Sequence, residues 1–421
     1  MIMPLTIKLY RFFSYALIPF SWIIIIYRAL RNKEDWQRVK ERLGKSRIKD
    51  ESEYIWIHAA SVGELLSVLP LSKKLLEKNY KILISTTTLT SANLFKSTFP
   101  KNILHQYIPY DTPIYANRFL SNWNINQAIF VESEIWPNLI LECKQKKIPL
   151  LLINARLTKK SFNRWKLFRE SIKYLLNSFE FTIPQNKATL KRLEDLGAKN
   201  NLYFGNIKHD AKKLPINNEK LNKIEASILG KNLLLATSTH QGEEEVVFSL
   251  FSKLKDKIDN LLLIIAPRHP HRRMFIFNLS KKYNFKTHQI KFLSKEEFPD
   301  KETKLFIYDK IGELGELYDI APYVILGGAF KNIGGHNPIE PARFGTAIFS
   351  GSNFFNFNDD FNNLINSGAA MIYNEDTISE LILNNKKIED MGLKATEYTS
   401  NLGGATDNIV EVINGLRTDA K

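Results

Sequence analysis

The sequence predicts an α/β protein: two tandem doubly wound parallel sheets behind an N-terminal membrane-anchor helix. Three observations predict it. Short apolar runs alternate with amphipathic stretches, the pattern of parallel strands separated by covering helices. The pattern runs twice, on either side of the polar, Lys- and Asn-rich stretch Asp210–Glu225, which holds Pro215. The chain has 421 residues, 44% hydrophobic and 24% charged, which is enough for two cores and too apolar for general disorder. We read 1–30 as the anchor, 31–214 as the first α/β domain and 215–421 as the second.

The N-terminal element is uncharged from Phe12 to Tyr27 and includes Trp22 and the run Ile23–Ile26. A spanning helix wants about 20 apolar residues, a length reached by including Ile7–Tyr10 if Lys8 and Arg11 snorkel. No small-residue cleavage site follows. The chain runs instead into Arg28, Arg31, Lys33, Arg38, Lys40 and Arg42, a basic flank that holds the rest of the chain on the cytoplasmic side. Pro19 can kink the helix, and a shallow interfacial helix is the alternative.

Lys+Arg number 59 against 44 Asp+Glu, a net +15. That excess suits an anionic partner: nucleic acid, a membrane surface or a phosphorylated substrate. An RNA-binding sheet would interleave stacking aromatics with basic patches. No such motif occurs, so nucleic acid is not an expected partner. Cys143 is the single cysteine, which excludes a disulfide framework and a cysteine-rich metal site.

In the first half, Tyr54–Ile57, Lys81–Ser85, Gln127–Val131 and Leu150–Ile153 read as strands. Glu64–Lys78 and Phe162–Ser178 read as helices. Open parallel sheets bind ligands at the carboxyl ends of their strands, so the loops that follow strands carry the chemistry. His58-Ala-Ala-Ser61-Val-Gly63-Glu64 is such a loop. Ser61 and Glu64 have the spacing of a capping box. Alternatively, Gly63 admits a ligand close to the backbone and Glu64 is a general base facing it. Ser85-Thr-Thr-Thr88 either binds a sugar or phosphate or caps the helix near Thr90. Glu132 and Glu134, at spacing two before Trp136-Pro137, point the same way by strand alternation, and together they need a cation or water. Arg156 and Lys208 are the candidates, with a structural ion pair as the plain alternative.

In the second half, Leu233–Ala236, Leu261–Ala266, Leu305–Tyr308, Val324–Leu326 and Ala347–Ser350 read as strands and Glu243–Leu254 as a helix. Glu243, Glu244 and Glu245 complement the helix dipole, leaving Ser238 and Thr239 as ligand candidates. Pro267-Arg268 follows a strand directly, and Arg268 suits bidentate phosphate binding, while Arg272 and Arg273 read as solvated. His269 and His271 lack a zinc-type ligand set, so no metal is expected. Gly312-Glu313-Leu314 precedes a short helix. Gly334-Gly335-His336-Asn337-Pro338-Ile339-Glu340 reads as an anion cradle, with Asn337 at N-cap, Pro338 at N1 and Glu340 at N3. Glu340 accepts either from ribose hydroxyls or from its own helix start. Arg268, the Gly312–Leu314 turn and this cradle together point to a nucleotide.

These motifs, with Asn154-Ala-Arg-Leu157 and Gly205-Asn-Ile-Lys208, resemble those of the 3-deoxy-D-manno-octulosonic acid (Kdo) transferases over nearly the whole chain. The resemblance implies a GT-B glycosyltransferase, two Rossmann-like domains facing a cleft. It implies transfer of Kdo, with inversion, from CMP-Kdo to the lipid A precursor in lipopolysaccharide core biosynthesis. It implies no metal and no cofactor, and an inner-membrane location with the catalytic domains on the cytoplasmic side. By motif, Glu64 is then the general base, and Glu132 and Lys208 stabilise the transition state. Pro267, Arg268, Gly312, Glu313, Leu314, Asn337, Pro338, Ile339 and Glu340 then bind CMP. Ser91 departs from a frequent Gly of the family. The competing reading is another GT-B enzyme using a UDP-sugar in cell-envelope synthesis, because spacing does not distinguish cytosine from uracil.

Overall fold

The computed structural model describes residues 2–31, 33–48, 50–210, 213–310 and 312–418. The chain divides into two compact units, Met1–Ala211 with Gly403–Lys421, and Lys212–Leu402.

The first unit is built on strands β1 (Glu53–His58), β2 (Lys81–Thr86), β3 (Leu104–Tyr107), β4 (Asn124–Val131), β5 (Leu150–Ala155) and β6 (Phe181–Pro184). They form one six-stranded sheet in the order β3-β2-β1-β4-β5-β6, with every ladder parallel. Alternate residues of the same strands feed two cores. Trp56, Leu83, Phe130 and Leu152 lie in one, and Ile57, Ile84, Ile129 and Ile153 in the other. A sheet buried on both faces needs such continuous apolar runs, each buried Ile or Leu contributing roughly 1.5–3 kcal/mol. The expected helix Glu64–Lys78 is two, Val62–Ser67 and Leu69–Glu77. Pro70 stands at the start of the second, where its missing N–H is tolerated and its ring ends the preceding turns. Phe162–Ser178 likewise divides into Lys159–Lys166 and Arg169–Leu176.

The second unit holds β7 (Asn232–Thr239), β8 (Leu261–Pro267), β9 (Ile290–Phe292), β10 (Leu305–Ile307), β11 (Tyr323–Leu326), β12 (Ala347–Ser350) and β13 (Ala370–Ile372). Their order is β13-β12-β11-β7-β8-β10-β9, again parallel. Leu234, Leu263, Ile325 and Phe349 enter one core, and Leu235, Ile264, Val324 and Ile348 the other.

Two expectations about boundaries need correction. The second domain does not run to residue 421, because helix Ala405–Thr418 belongs to the first unit. Its Ile409, Val410 and Ile413 join the core of Ile57, Leu71 and Leu75. Asp210 holds its start through Thr406 N–H at 2.6 Å, and the Gln127 amide donates to the Ile413 carbonyl at 2.9 Å. The N-terminal 1–30 is not a separate domain either, because it belongs to the first unit. Helices Leu5–Ala16 and Ser21–Leu30 flank a 3-10 turn, Ile18–Phe20, that contains Pro19, with a bend of 46°. Among the described residues no single helix is long and apolar enough to cross a membrane, but the bent pair together has the length and apolar composition of a span. One face of the pair is tied into the first unit. Ile7 lies in its core, and Ile25 packs with Val39, Leu43 and Tyr115. The Tyr10 hydroxyl donates to Asp111 at 2.9 Å, and Arg11 pairs with Glu142 at 2.8 Å. The other face leaves Phe12, Phe13, Leu17, Phe20, Ile23 and Leu30 exposed.

Candidate active site

In the first sheet the chain order reverses between β1 and β4, and such a switch point opens a crevice at the strands' carboxyl ends. The loop His58–Glu64 leaves β1 there, and Glu132–Trp136 leaves β4. Ser61 is the N-cap of Val62–Ser67, its oxygen accepting Glu64 N–H at 3.3 Å. The Glu64 carboxylate turns back over the same loop, accepting Ala60 N–H at 2.8 Å and the Ser61 hydroxyl at 2.9 Å. This is not a capping box, in which Glu would accept the N-cap's own N–H. Burial lifts the Glu64 carboxyl above the ordinary carboxylate range. Glu134 and Glu132 add to that rise, against the lowering by Ser61 and Ala60. A carboxylate that binds its proton more tightly than usual is a better base. A Cβ at Gly63 would meet nothing within 4 Å, so no neighbour in the chain requires glycine there.

Glu132 and Glu134 do not point the same way by strand alternation, because β4 ends at Val131 and Glu132 is left-handed at φ 59°. Each takes its own partners. Glu132 is buried and receives Lys208 Nζ at 2.6 Å, with Arg156 at 4.0 Å. Lys208 is set by two asparagines: Asn154 Oδ1 accepts Ile207 N–H at 3.2 Å, and Asn206 Oδ1 accepts Lys208 N–H at 3.0 Å. Glu134 accepts Trp136 Nε1–H at 2.7 Å and His58 Nε2–H at 3.3 Å. Burial raises the Glu134 carboxyl, but the hydrogen bonds and charge of His58 and the bond from Trp136 leave it below the ordinary range. Behind it, Trp56 Nε1–H donates to Ser85 Oγ at 2.8 Å, and Ser85 Oγ lies 3.0 Å from His58 Nδ1. His58 Nδ1 also lies 3.2 Å from the Ser85 carbonyl oxygen, so a buried chain of contacts from Trp56 through Ser85 and His58 orients one carboxylate. Sequence reading missed His58. Its signal was a histidine closing an apolar strand. Ser85–Thr88 takes the plain role: Thr88 caps Leu89–Thr98, accepting Ser91 N–H at 3.1 Å, and the buried Ser91 hydroxyl lies 2.7 Å from Thr88 Oγ1.

The second sheet reverses between β7 and β11. Arg268 follows β8: its backbone N–H donates to the Thr239 carbonyl at 3.1 Å, and its exposed guanidinium makes no hydrogen bond or ion pair among the described residues. Arg272 and Arg273, expected to be solvated, are paired, with the buried carboxylates Glu244 and Asp309. Thr239 is no ligand group either: it is buried and its hydroxyl donates to Glu244 at 3.0 Å. Glu243 is more than a dipole complement. Its buried carboxylate accepts His240 N–H at 2.9 Å, Gly328 N–H at 2.8 Å and Phe330 N–H at 3.1 Å, joining the loops after β7 and β11. The helix after the glycines spans only Ile339–Ala342, with Pro338 at its N-cap and not at N1. Asn337 Oδ1 accepts Ile339 N–H at 3.1 Å, and its amide donates to Glu340 at 3.2 Å. Burial lifts the Glu340 carboxyl above its ordinary range, against Asn337 and the charges of Arg268 and Arg343. Glu313 pairs with Lys220, and Gly312 has φ 84° and open space around a would-be Cβ. His240 and His336, given no role from sequence, stand with Nε2 atoms 2.9 Å apart. Among the described residues no group of three or more His, Cys, Asp or Glu could hold a metal ion.

A family model described as 3-Deoxy-D-manno-octulosonic-acid transferase (kdotransferase) matches residues 37–211. The chain is 36% identical over 369 residues to the 3-deoxy-D-manno-octulosonic acid transferase of Rickettsia bellii, covering 86% of this chain and 87% of that one. It is 31% identical over 426 residues to the enzyme of that name from Haemophilus influenzae, covering 96% and 98%. Among solved structures, a glycosyltransferase from Rickettsia africae matches with a TM-score of 0.60 at 13% identity, over 87% of this chain and 99% of that one. MurG from Acinetobacter baumannii matches at 0.55 and 14%, over 86% and 99%. At such identities the likeness is one of fold, and the fold is GT-B.

Proposed function

Since the chain belongs to the 3-deoxy-D-manno-octulosonic acid transferase family, we propose that it moves Kdo from CMP-Kdo to a hydroxyl of the lipid A precursor. The observation that carries the chemistry is Glu64: a desolvated carboxylate at the switch point of the first sheet, its proton affinity raised. Glu64 takes the proton of the acceptor hydroxyl as that oxygen attacks the anomeric carbon, a single displacement that inverts the centre. Glu132 and Lys208 form a paired charge beside it. Lys208 stabilises negative charge that develops during transfer, and Glu132 holds the ammonium in place. In the second unit Pro267, Arg268, Gly312, Glu313, Leu314, Asn337, Pro338, Ile339 and Glu340 hold CMP, with the partnerless Arg268 guanidinium on the phosphate.

The location belongs to the same reading: the cytoplasmic side of the inner membrane. The bent helix pair lies in the interface with Phe12, Phe13, Leu17, Phe20 and Ile23 among the acyl chains. The net +15 supports contact with anionic headgroups and with a phosphorylated acceptor. Incubation with CMP-Kdo and a tetra-acylated lipid A precursor, followed by mass analysis of the lipid, tests the reaction. Transfer from a UDP-sugar and not from CMP-Kdo would overturn it.

A further inference from the structure

The paired histidines of the second unit are set at its switch point. His240 follows the end of β7, and His336 ends the glycine loop after β11. Their rings are parallel within 3° at 5.1 Å, and the Nε2 atoms are 2.9 Å apart. That distance requires one proton between the two nitrogens: one ring carries Nε2–H and the other accepts with Nε2. An added proton makes the donor ring an imidazolium whose Nε2–H still donates to its neighbour. The charge then spreads over the pair and can leave from either Nδ1.

The surroundings keep that extra proton off in the free protein. Burial lowers both imidazoles, His336 to about 4, and Arg268, Arg272 and His269 add positive potential around them. Glu243 acts the other way, its charge raising His240, but the carboxylates here already have partners. Glu243 serves three backbone N–H groups, Glu244 holds Arg272, and Glu340 is held by Asn337. Lys331 adds a further cation, its side chain beside Gly242. What this cluster lacks is an anion bound to the Arg268 guanidinium, which makes no hydrogen bond or ion pair among the described residues. A phosphate placed there reverses the sign of the local field and favours the charged pair.

We propose that His240 and His336 act as a single acid, taking up one proton when the nucleotide phosphate binds beside Arg268 and giving it to that phosphate as the sugar departs. The proposal rests on the reading that this unit holds a cytidine nucleotide donor. In the transfer, the acceptor oxygen forms a bond to the anomeric carbon and its proton goes to Glu64. The bond from the anomeric carbon to the phosphate oxygen breaks, with its electron pair going to that oxygen. The imidazolium proton follows, so CMP leaves as a monoanion and the pair returns to neutral. Without that proton the leaving group would be a dianion, since the second phosphate ionisation lies near about pH 6.

The test is calorimetry of CMP binding at about pH 8, where free CMP is already a dianion, in buffers of different ionisation heat. The expected result is uptake of about one proton per CMP bound, and none for cytidine, which lacks the phosphate. His336→Asn and His240→Asn should each still bind CMP while the uptake falls toward zero. In each variant kcat should fall on the order of 10²–10⁴ with KM little changed. CMP binding without proton uptake, or uptake unchanged in both variants, overturns the proposal and leaves the donor site standing. Failure of CMP to bind at all overturns the donor reading and this proposal with it.

Discussion

Glu64→Gln separates the local structural role of this carboxylate from its chemical one. The carboxylate accepts Ala60 N–H and the Ser61 hydroxyl. A glutamine oxygen keeps the first bond, while its amide donates to Ser61 Oγ, which already accepts Glu64 N–H. Two charge-assisted bonds become neutral ones, a loss of about 1 kcal/mol. Against this, the variant no longer buries a charge close to Glu134 and Glu132. The sign follows from linkage. The folded-state pKa lies above the unfolded value, so the stability Glu64 contributes is full below the unfolded pKa and lost as pH rises through the folded one. At neutral pH the wild type carries that cost and the glutamine variant does not. The two effects oppose each other, and the melting temperature should stay within about 2–4 °C of wild type. Gln cannot accept the acceptor's proton, so kcat should fall on the order of 10²–10⁴ with CMP affinity unchanged. In the wild type, kcat should rise with pH through a pKa above the ordinary carboxylate range. The assay is Kdo transfer by mass analysis across pH, beside a thermal melt. Turnover of Glu64→Gln within a few-fold of wild type would refute the base assignment, and Glu132 would be the next carboxylate to replace.

Gly63→Ala should leave stability unchanged or raise it by about 0.5–1 kcal/mol, since the new Cβ meets nothing and alanine favours the helix. Gly63→Val should leave the fold intact and raise KM for the lipid acceptor without changing CMP affinity; unaltered acceptor kinetics would place the acceptor elsewhere. Arg268→Ala should weaken CMP binding by about 10- to 150-fold, equivalent to 1.5–3 kcal/mol, with little change in melting temperature because the guanidinium makes no hydrogen bond or ion pair among the described residues. Calorimetry reads the first and a melt the second. Replacing Phe13 and Ile23, 59% and 62% exposed, by Ser should abolish sedimentation with anionic vesicles while the melt is unchanged. Deleting the segment is the poorer experiment, because Ile7, Tyr10, Arg11 and Ile25 are tied into the first unit. Vesicle binding that persists in the Ser variant would exclude the exposed face as the contact.

The central strands of both sheets were legible because a parallel strand buried on two faces must be apolar throughout, as Leu-Leu-Leu-Ile at 261–264 is. The strands not anticipated are β3, β6, β9 and β13, which are the four edges of the two sheets. An edge strand pairs on one side only, so it can be short and mixed in character, and Leu104-His-Gln-Tyr107 or Ile290-Lys-Phe292 carries no periodic signal. The helix that recrosses to the first unit at Ala405 was invisible for a related reason. Its apolar face is ordinary, and nothing local states which core receives it.

By itself the sequence determined the local matters: two α/β halves, the loops after strands, Arg268 placed directly after β8, and the capping serine and threonine at Ser61 and Thr88. These follow from backbone preferences and burial patterns, which act within a few residues. Only the tertiary structure decided which distant groups meet. Lys208 reaches Glu132, His58 orients Glu134, Glu243 joins two loops, and His240 meets His336 Nε2 to Nε2. The topological switch points bring those loops side by side, because strand order and not sequence order sets which carboxyl ends are neighbours. The raised proton affinity of Glu64 depends on the same juxtaposition. Desolvation and the approach of Glu134 and Glu132 are properties of a packed crevice, and no spacing along the chain encodes them.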